Sequence, residues 1–136
     1  MLGNMSRIIS PSVLSADFLH LGRDTEMLNR SEAEWIHIDV MDGVFVPNLS
    51  FGFPVLSAIR KVTTKVLDTH LMIVEPERYI ERFAKAGANI ITIHIEATED
   101  LPAAIRMIKA CGVKAGVSIK PKTPVSAIVP YLDDLD

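Results

Sequence analysis

The sequence predicts a parallel α/β fold. Three observations lead there. Short β-branched runs alternate with helical runs along the whole chain. Pro54 and Pro76 open helical runs, and Gly87 and Gly112 follow them. Each β-branched run has one apolar face and one face that turns polar toward its C-terminal end. Strict alternation of strand and helix implies parallel strands joined by right-handed crossovers.

The strands are expected at Arg7–Leu14, Trp35–Asp39, Lys65–Met72, Asn89–Ile95 and Lys114–Ile119. The helices between them are expected at about Ala16–Arg30, Pro54–Lys61, Pro76–Ala86, Leu101–Cys111 and Pro124–Tyr131. Pro54 and Pro76 suit a first helical turn, where a missing N–H costs nothing. Gly87 and Gly112 follow helical runs and can adopt the left-handed closing conformation. Ser15 and Asp17 sit where the first helix needs acceptors for its free amides. In the third helix Ile80, Phe83 and Ala84 share one face, and Glu77, Glu81 and Lys85 lie elsewhere.

Strand faces decide between an open sheet and a closed barrel, because successive side chains point to opposite sides. Ile36, Ile38 and Val40 oppose Trp35, His37 and Asp39. Leu67, Thr69, Leu71 and Ile73 oppose Asp68, His70 and Met72. Ile91, Ile93 and Ile95 oppose Thr92, His94 and Glu96; Ala115, Val117 and Ile119 oppose Gly116, Ser118 and Lys120. A sheet covered by helices on both sides should be apolar on both. A barrel packs helices outside and carries chemistry at the C-terminal mouth of its interior. The first strand is also followed by Ser12-Val13-Leu14-Ser15-Ala16-Asp17 where a dinucleotide fold would have a glycine-rich turn. The pattern therefore predicts a (β/α)₈ barrel.

Composition narrows the function. The chain has 136 residues, 49% of them apolar, enough for one domain with a sizeable core. A net charge of −3 argues against a nucleic-acid partner. No run approaches the ~20 apolar residues of a membrane-spanning helix. The single cysteine, Cys111, excludes an internal disulfide and points to a cytoplasmic protein. Residues 1–6 are expected to be an extension preceding the domain.

His37 and Asp39 project to one side of their strand, and His70 lies near the end of the next. Adjacent strands are about 4.8 Å apart, so the three can converge on one ion. Two imidazoles and a carboxylate suit Zn²⁺, Mn²⁺, Fe²⁺ or Co²⁺ better than Mg²⁺ or Ca²⁺. Asp68 and Glu96 are expected acceptors that fix imidazole tautomers. His94 is open between packing at the rim and supporting the ion site. His20 reads as a surface residue and Cys111 as structural. Met41 and Met72 fall near the same mouth, either as gap-fillers or as a water-excluding wall.

Four stretches go further: ISPSVLSADF (9–18), HIDVMDGVFVPNLSFG (37–52), LDTHLMI (67–73) and HIE (94–96). With them the chain resembles the ribulose-phosphate 3-epimerases from about Arg7 to its end. The resemblance implies a ribulose-phosphate-binding TIM barrel. It implies interconversion of D-ribulose 5-phosphate and D-xylulose 5-phosphate in the pentose phosphate pathway, by C3 proton transfer through a 2,3-enediolate. His37, Asp39 and His70 match metal ligands, and Asp39 also matches a catalytic aspartate. Ser12, His70, Met41 and Met72 match residues around the substrate. One divalent cation, a small phosphosugar and a homo-oligomeric assembly are the implied partners. Sister enzymes acting on ketohexose phosphates such as allulose 6-phosphate would look alike. A barrel of this kind needs roughly 200 residues or more. The chain is thus expected to hold about the first five βα units. The family's second catalytic aspartate and its glycine-rich phosphate loops are expected beyond residue 136. A piece of a complete enzyme is favoured over a natural short form, and an inactive metal-binding half-barrel is the competing expectation.

Overall fold

A computed structural model describes residues 7–136; the expected N-terminal extension lies outside the described residues. Four strands form one parallel sheet: β1 (Trp35–Met41), β2 (Val66–Met72), β3 (Ile90–His94) and β4 (Lys114–Ser118). Four helices accompany them: α1 (Leu21–Asn29), α2 (Phe53–Val62), α3 (Ile80–Ala86) and α4 (Leu101–Ala110). The strand order in space is β1-β2-β3-β4, the order of the chain. Each helix packs on the next: α1 on α2, α2 on α3, α3 on α4. A doubly wound sheet would reverse its order partway and split its helices between two faces. Sequential order with sequentially packed helices is instead the arc of a (β/α) barrel.

The helix-facing side is the core. Ile36, Ile38 and Val40 of β1, Leu67 and Leu71 of β2, Ile91 and Ile93 of β3, and Ala115 of β4 are all buried. They pack against Leu56 and Ile59 of α2, Ile80 and Phe83 of α3, and Ala104, Ile105 and Ile108 of α4. The opposite side, with His37, Asp39, Asp68 and His70, is half-buried. This alternation follows from the period-2 geometry of a strand. Ends obey local chemistry: Pro54 and Pro102 occupy first turns, Asp100 accepts from the Ala103 amide, and Gly87 closes α3 at φ 119°.

Several expectations need correction. Arg7–Leu14 does not form a regular strand. The carbonyls of Ile9 and Pro11 accept from the Trp35 and His37 amides, and Ser12 forms a lone parallel bridge with His37. Pro11 has no N–H to donate, and Val13–Ser15 already turns as a 3₁₀ segment. The first helix begins at Leu21, after a second 3₁₀ turn, Phe18–His20. The capping acceptors there are Ser12 and Asp17; Ser15 lies inside the turn. The third helix is interrupted, with 3₁₀ turn Pro76–Arg78 preceding α3. Ile95 and Glu96 belong to a 3₁₀ turn rather than to β3. The segment Pro124–Tyr131 is not α-helical but two 3₁₀ turns, Val125–Ala127 and Val129–Asp134. Pro130 explains it, since it cannot donate to the carbonyl four residues back and its ring would strike that carbonyl.

Candidate metal centre

The parallel register of β1 and β2 builds the site in three rungs. His37 pairs with Asp68, Asp39 with His70, and Met41 with Met72. Paired residues of neighbouring strands share a face, so all six side chains stand on the side away from the helices. On the first rung His37 Nδ1 lies 2.7 Å from Asp68 Oδ2. Its Nε2 is 3.0 Å from Asp39 Oδ1, and His70 Nδ1 is 3.2 Å from the same oxygen. His37, Asp39 and His70 each offer an atom within 4.8 Å of the other two, the spacing that lets three donors hold one ion.

Everything around Asp39 fixes its direction. The Ser12 hydroxyl donates to Oδ2 at 3.0 Å. The Ser50 hydroxyl donates to the Asp39 backbone carbonyl at 2.7 Å and accepts from the Met41 amide. Ser50 was not singled out from the sequence, and its distance of eleven residues from Asp39 gives no periodic signal. Asp68, expected as a tautomer-fixing acceptor, reaches His37. Glu96 does not reach a member of the cluster; its neighbour is His94, whose Nε2 is 2.8 Å from His70 Nε2. His20 bonds Asp17 at the surface, far from the cluster in role. Met41 and Met72 end the two strands as the outermost rung, both half-buried.

The imidazoles are not electrostatically equivalent. The hydrogen bond that His37 donates to Asp68 holds its imidazole above the ordinary pKa, against the opposing effect of burial. Burial, followed by the neighbouring His94, pushes His70 below its ordinary value. Burial also lowers His94. A neutral imidazole is the form that can ligate a cation. The donor set of two ring nitrogens and a carboxylate oxygen, aimed at a common point, fits a borderline divalent cation. A wide groove lies elsewhere, on the helix side between Glu81, Arg82 and Lys85 of α3 and Met107 of α4.

Residues 8–136 match the model of the ribulose-phosphate 3 epimerase family. The chain belongs to that family. It is 52% identical over 128 residues to ribulose-phosphate 3-epimerase of Bacillus subtilis, covering 94% of this chain and 59% of that one. It is 49% identical to the chloroplastic ribulose-5-phosphate-3-epimerase of Arabidopsis thaliana, covering 95% of this chain and 47% of the relative. The chain thus spans about half the length of the curated relatives it matches. Among solved structures, a Yersinia pestis DHPS with a pterine-sulfa conjugate superposes with a TM-score of 0.60 at 16% identity, over 93% of this chain and 49% of that one. At that identity the likeness concerns the barrel fold alone. Among the described residues no helix is long and apolar enough to cross a membrane.

Proposed function

We propose that this chain carries the cation-binding portion of an isomerase, a metal-dependent ribulose-phosphate 3-epimerase of the pentose phosphate pathway. The observation that carries the reading is the convergence of His37 Nε2 and His70 Nδ1 on one oxygen of Asp39. Family membership supplies the reaction class, and the relatives' names favour a ketopentose phosphate over a ketohexose phosphate such as allulose 6-phosphate. His37, Asp39 and His70 would hold one divalent cation, Zn²⁺, Mn²⁺, Fe²⁺ or Co²⁺. When bound, the cation supplies Lewis-acid stabilisation of negative charge developing on the substrate's oxygens.

The chain's own residues then have distinct tasks. Asp39 takes the C3 proton as general base, its carboxylate held by Ser12 on one oxygen and the imidazoles on the other. Ser12 and His70 border the substrate and orient it. Met41 and Met72 form an apolar rung at the strand ends that keeps water from the carbanionic centre. A proton returned to the opposite face of C3 inverts that carbon; a second aspartate of the whole protein is expected to provide it. The domain is read as one barrel in which residues 7–136 form the first part. A cytoplasmic location and a homo-oligomeric assembly complete the proposal.

Turnover of D-ribulose 5-phosphate, measured side by side for the full-length protein and for the 136-residue chain, tests this reading. Activity of the full-length protein should vanish on chelation and return with Mn²⁺, Co²⁺, Zn²⁺ or Fe²⁺. Asp39→Asn should remove most turnover, about 10²-fold or more, since general-base catalysis alone contributes that much. Chelator-resistant turnover, or a near-normal Asp39→Asn variant, would sink the proposal. A second reading is a metal-binding barrel portion with no turnover of its own. Its supporting observation is that the chain spans only 47–59% of those two relatives' lengths. Chelator-sensitive turnover by the 136-residue chain itself would eliminate it, whereas an inert short chain beside an active full-length protein is what the first reading expects.

A further inference from the structure

His94 and Glu96 lie outside the three-residue cluster, yet they are arranged as its backing. His94 sits at the end of β3, 8% exposed, with Nε2 2.8 Å from His70 Nε2 and the two rings stacked at 26°. Two facing ring nitrogens at that distance share one proton: one donates and the other accepts. Which ring owns the proton decides whether His70 can ligate. With the proton on His70 Nε2, its Nδ1 presents a lone pair toward Asp39 and the cation position. With the proton on His94 Nε2, neutral His70 must carry its own proton on Nδ1, and ligation there is blocked.

The surroundings of His94 favour the first arrangement. Glu96 Oε2 lies 3.3 Å from His94 Nδ1. The contact is off the N–H axis, so Nδ1 makes no hydrogen bond and remains a buried polar atom without another partner. A carboxylate beside a buried ring nitrogen favours a proton on that nitrogen and disfavours a lone pair. Glu96 is held in this pose from its other oxygen, which accepts from the Lys120 amide at 2.6 Å and from the Thr123 hydroxyl. Phe45 lies against His94 at 4.9 Å, and the Lys120 ammonium sits 3.8 Å over the Phe45 ring while donating to the Phe45 carbonyl. That cover keeps water from replacing the ring contacts. Asp39 Oδ1, 3.2 Å from His70 Nδ1, pulls a proton the other way; a cation bound there takes the Nδ1 lone pair instead and leaves the His70 proton on Nε2, facing His94.

We infer that His94, oriented by Glu96, is a positioning residue that keeps the shared proton on His70 Nε2 and so frees His70 Nδ1 to bind the cation. The chain runs from Glu96 through His94 to His70, the arrangement in which an outer acceptor fixes the tautomer and the basicity of a ligating imidazole. The inference rests on the proposed cation site, and its test separates the two.

The measurement is made on the 136-residue chain with His70 and His94 observed by ¹⁵N–¹H correlation, without metal and with Zn²⁺, and by Co²⁺ titration. In the Zn²⁺-bound parent, His70 should carry its proton on Nε2 and His94 on Nδ1. His94→Leu should weaken Co²⁺ binding by about 10-fold or more, the usual cost of losing such a partner. His94→Gln, which still presents an acceptor to His70, should recover most of that loss. Glu96→Gln should give a smaller loss and a mixture of His94 tautomers. A His70 proton found on Nδ1 in the Zn²⁺-bound parent overturns the inference without any variant having to fold. Parent-like Co²⁺ binding by a folded His94→Leu chain overturns it too. If the parent binds no Co²⁺ or Zn²⁺, the cation-site reading fails and this inference falls with it, whereas binding with the His70 proton on Nδ1 overturns this inference alone.

Discussion

Asp42 spans two loops at the mouth of the arc with a single carboxylate. One oxygen accepts from the amides of Val44 and Phe45, the other from the amide of Val74 after β2. Burial works to raise its pKa, but the three N–H groups outweigh it, and the group lies below its ordinary value of 3.8. A folded-state value below the unfolded one means that folding favours the ionised form. The stabilisation is therefore fully present above the unfolded value and lost as pH falls through the folded one. Asp42→Asn should lower the urea midpoint at neutral pH, and the gap to the parent should close as pH drops below about 4. A gap of constant size across that range would mean the charge is irrelevant. The sequence exposes half of this residue's role. A turn at Asp42-Gly43 is local chemistry, and Gly43 has φ 75° as such a turn requires. The Val74 amide, 32 residues on, leaves no trace in the pattern. His37, Asp39 and His70 were legible for the opposite reason. Spacing of two and adjacency of consecutive strands are both visible in one dimension.

At the scale of elements, the pair β3–β4 shows how tightly the inner face is filled. Thr92 is in register with Gly116. A Cβ added at Gly116 would collide with the Thr92 hydroxyl and lie 3.2 Å from the Thr92 Cβ. Gly116→Ala should therefore destabilise the chain by about 1–3 kcal/mol through overpacking. Thr92→Ala in the same chain should recover much of that loss, so a double-mutant cycle by urea unfolding should return a coupling of about 0.5 kcal/mol or more. Strictly additive effects would contradict the collision. The sequence placed Gly116 on the polar face but gave no hint that it faces Thr92. Long amphipathic helices fared best. The expected Leu101–Cys111 is observed as Leu101–Ala110, and Pro54–Lys61 as Phe53–Val62. The two elements expected as a regular strand or helix and found as neither, Arg7–Leu14 and Pro124–Tyr131, each carry an internal proline, Pro11 and Pro130. The apolar pattern outweighed a missing backbone donor in the reading, and the backbone decided the outcome.

Across the whole molecule, cation binding and folding should be linked. His37 and Asp39 come from β1 and His70 from β2, and the first two lie beside the Pro11–Ser12 segment bridged to β1. None of these positions is preserved when the chain unfolds, so a cation held by all three binds the folded state alone. At a free concentration near 100 times its Kd, such a ligand adds about 2.7 kcal/mol. For a domain of this size that corresponds to a rise in Tm of roughly 10 °C. Thermal melts with Co²⁺ or Zn²⁺ against a chelated control should show this rise for the parent and lose it in His70→Ala. A monovalent salt at the same ionic strength, or Ca²⁺, should not reproduce it, because two imidazoles are poor donors for a hard oxygen-seeking cation. A shift that survives in His70→Ala would place the ion elsewhere, on exposed carboxylates such as Glu75 or Glu99. The strands would then still form the barrel arc, but the convergence on Asp39 would be an arrangement of hydrogen bonds and not a metal centre.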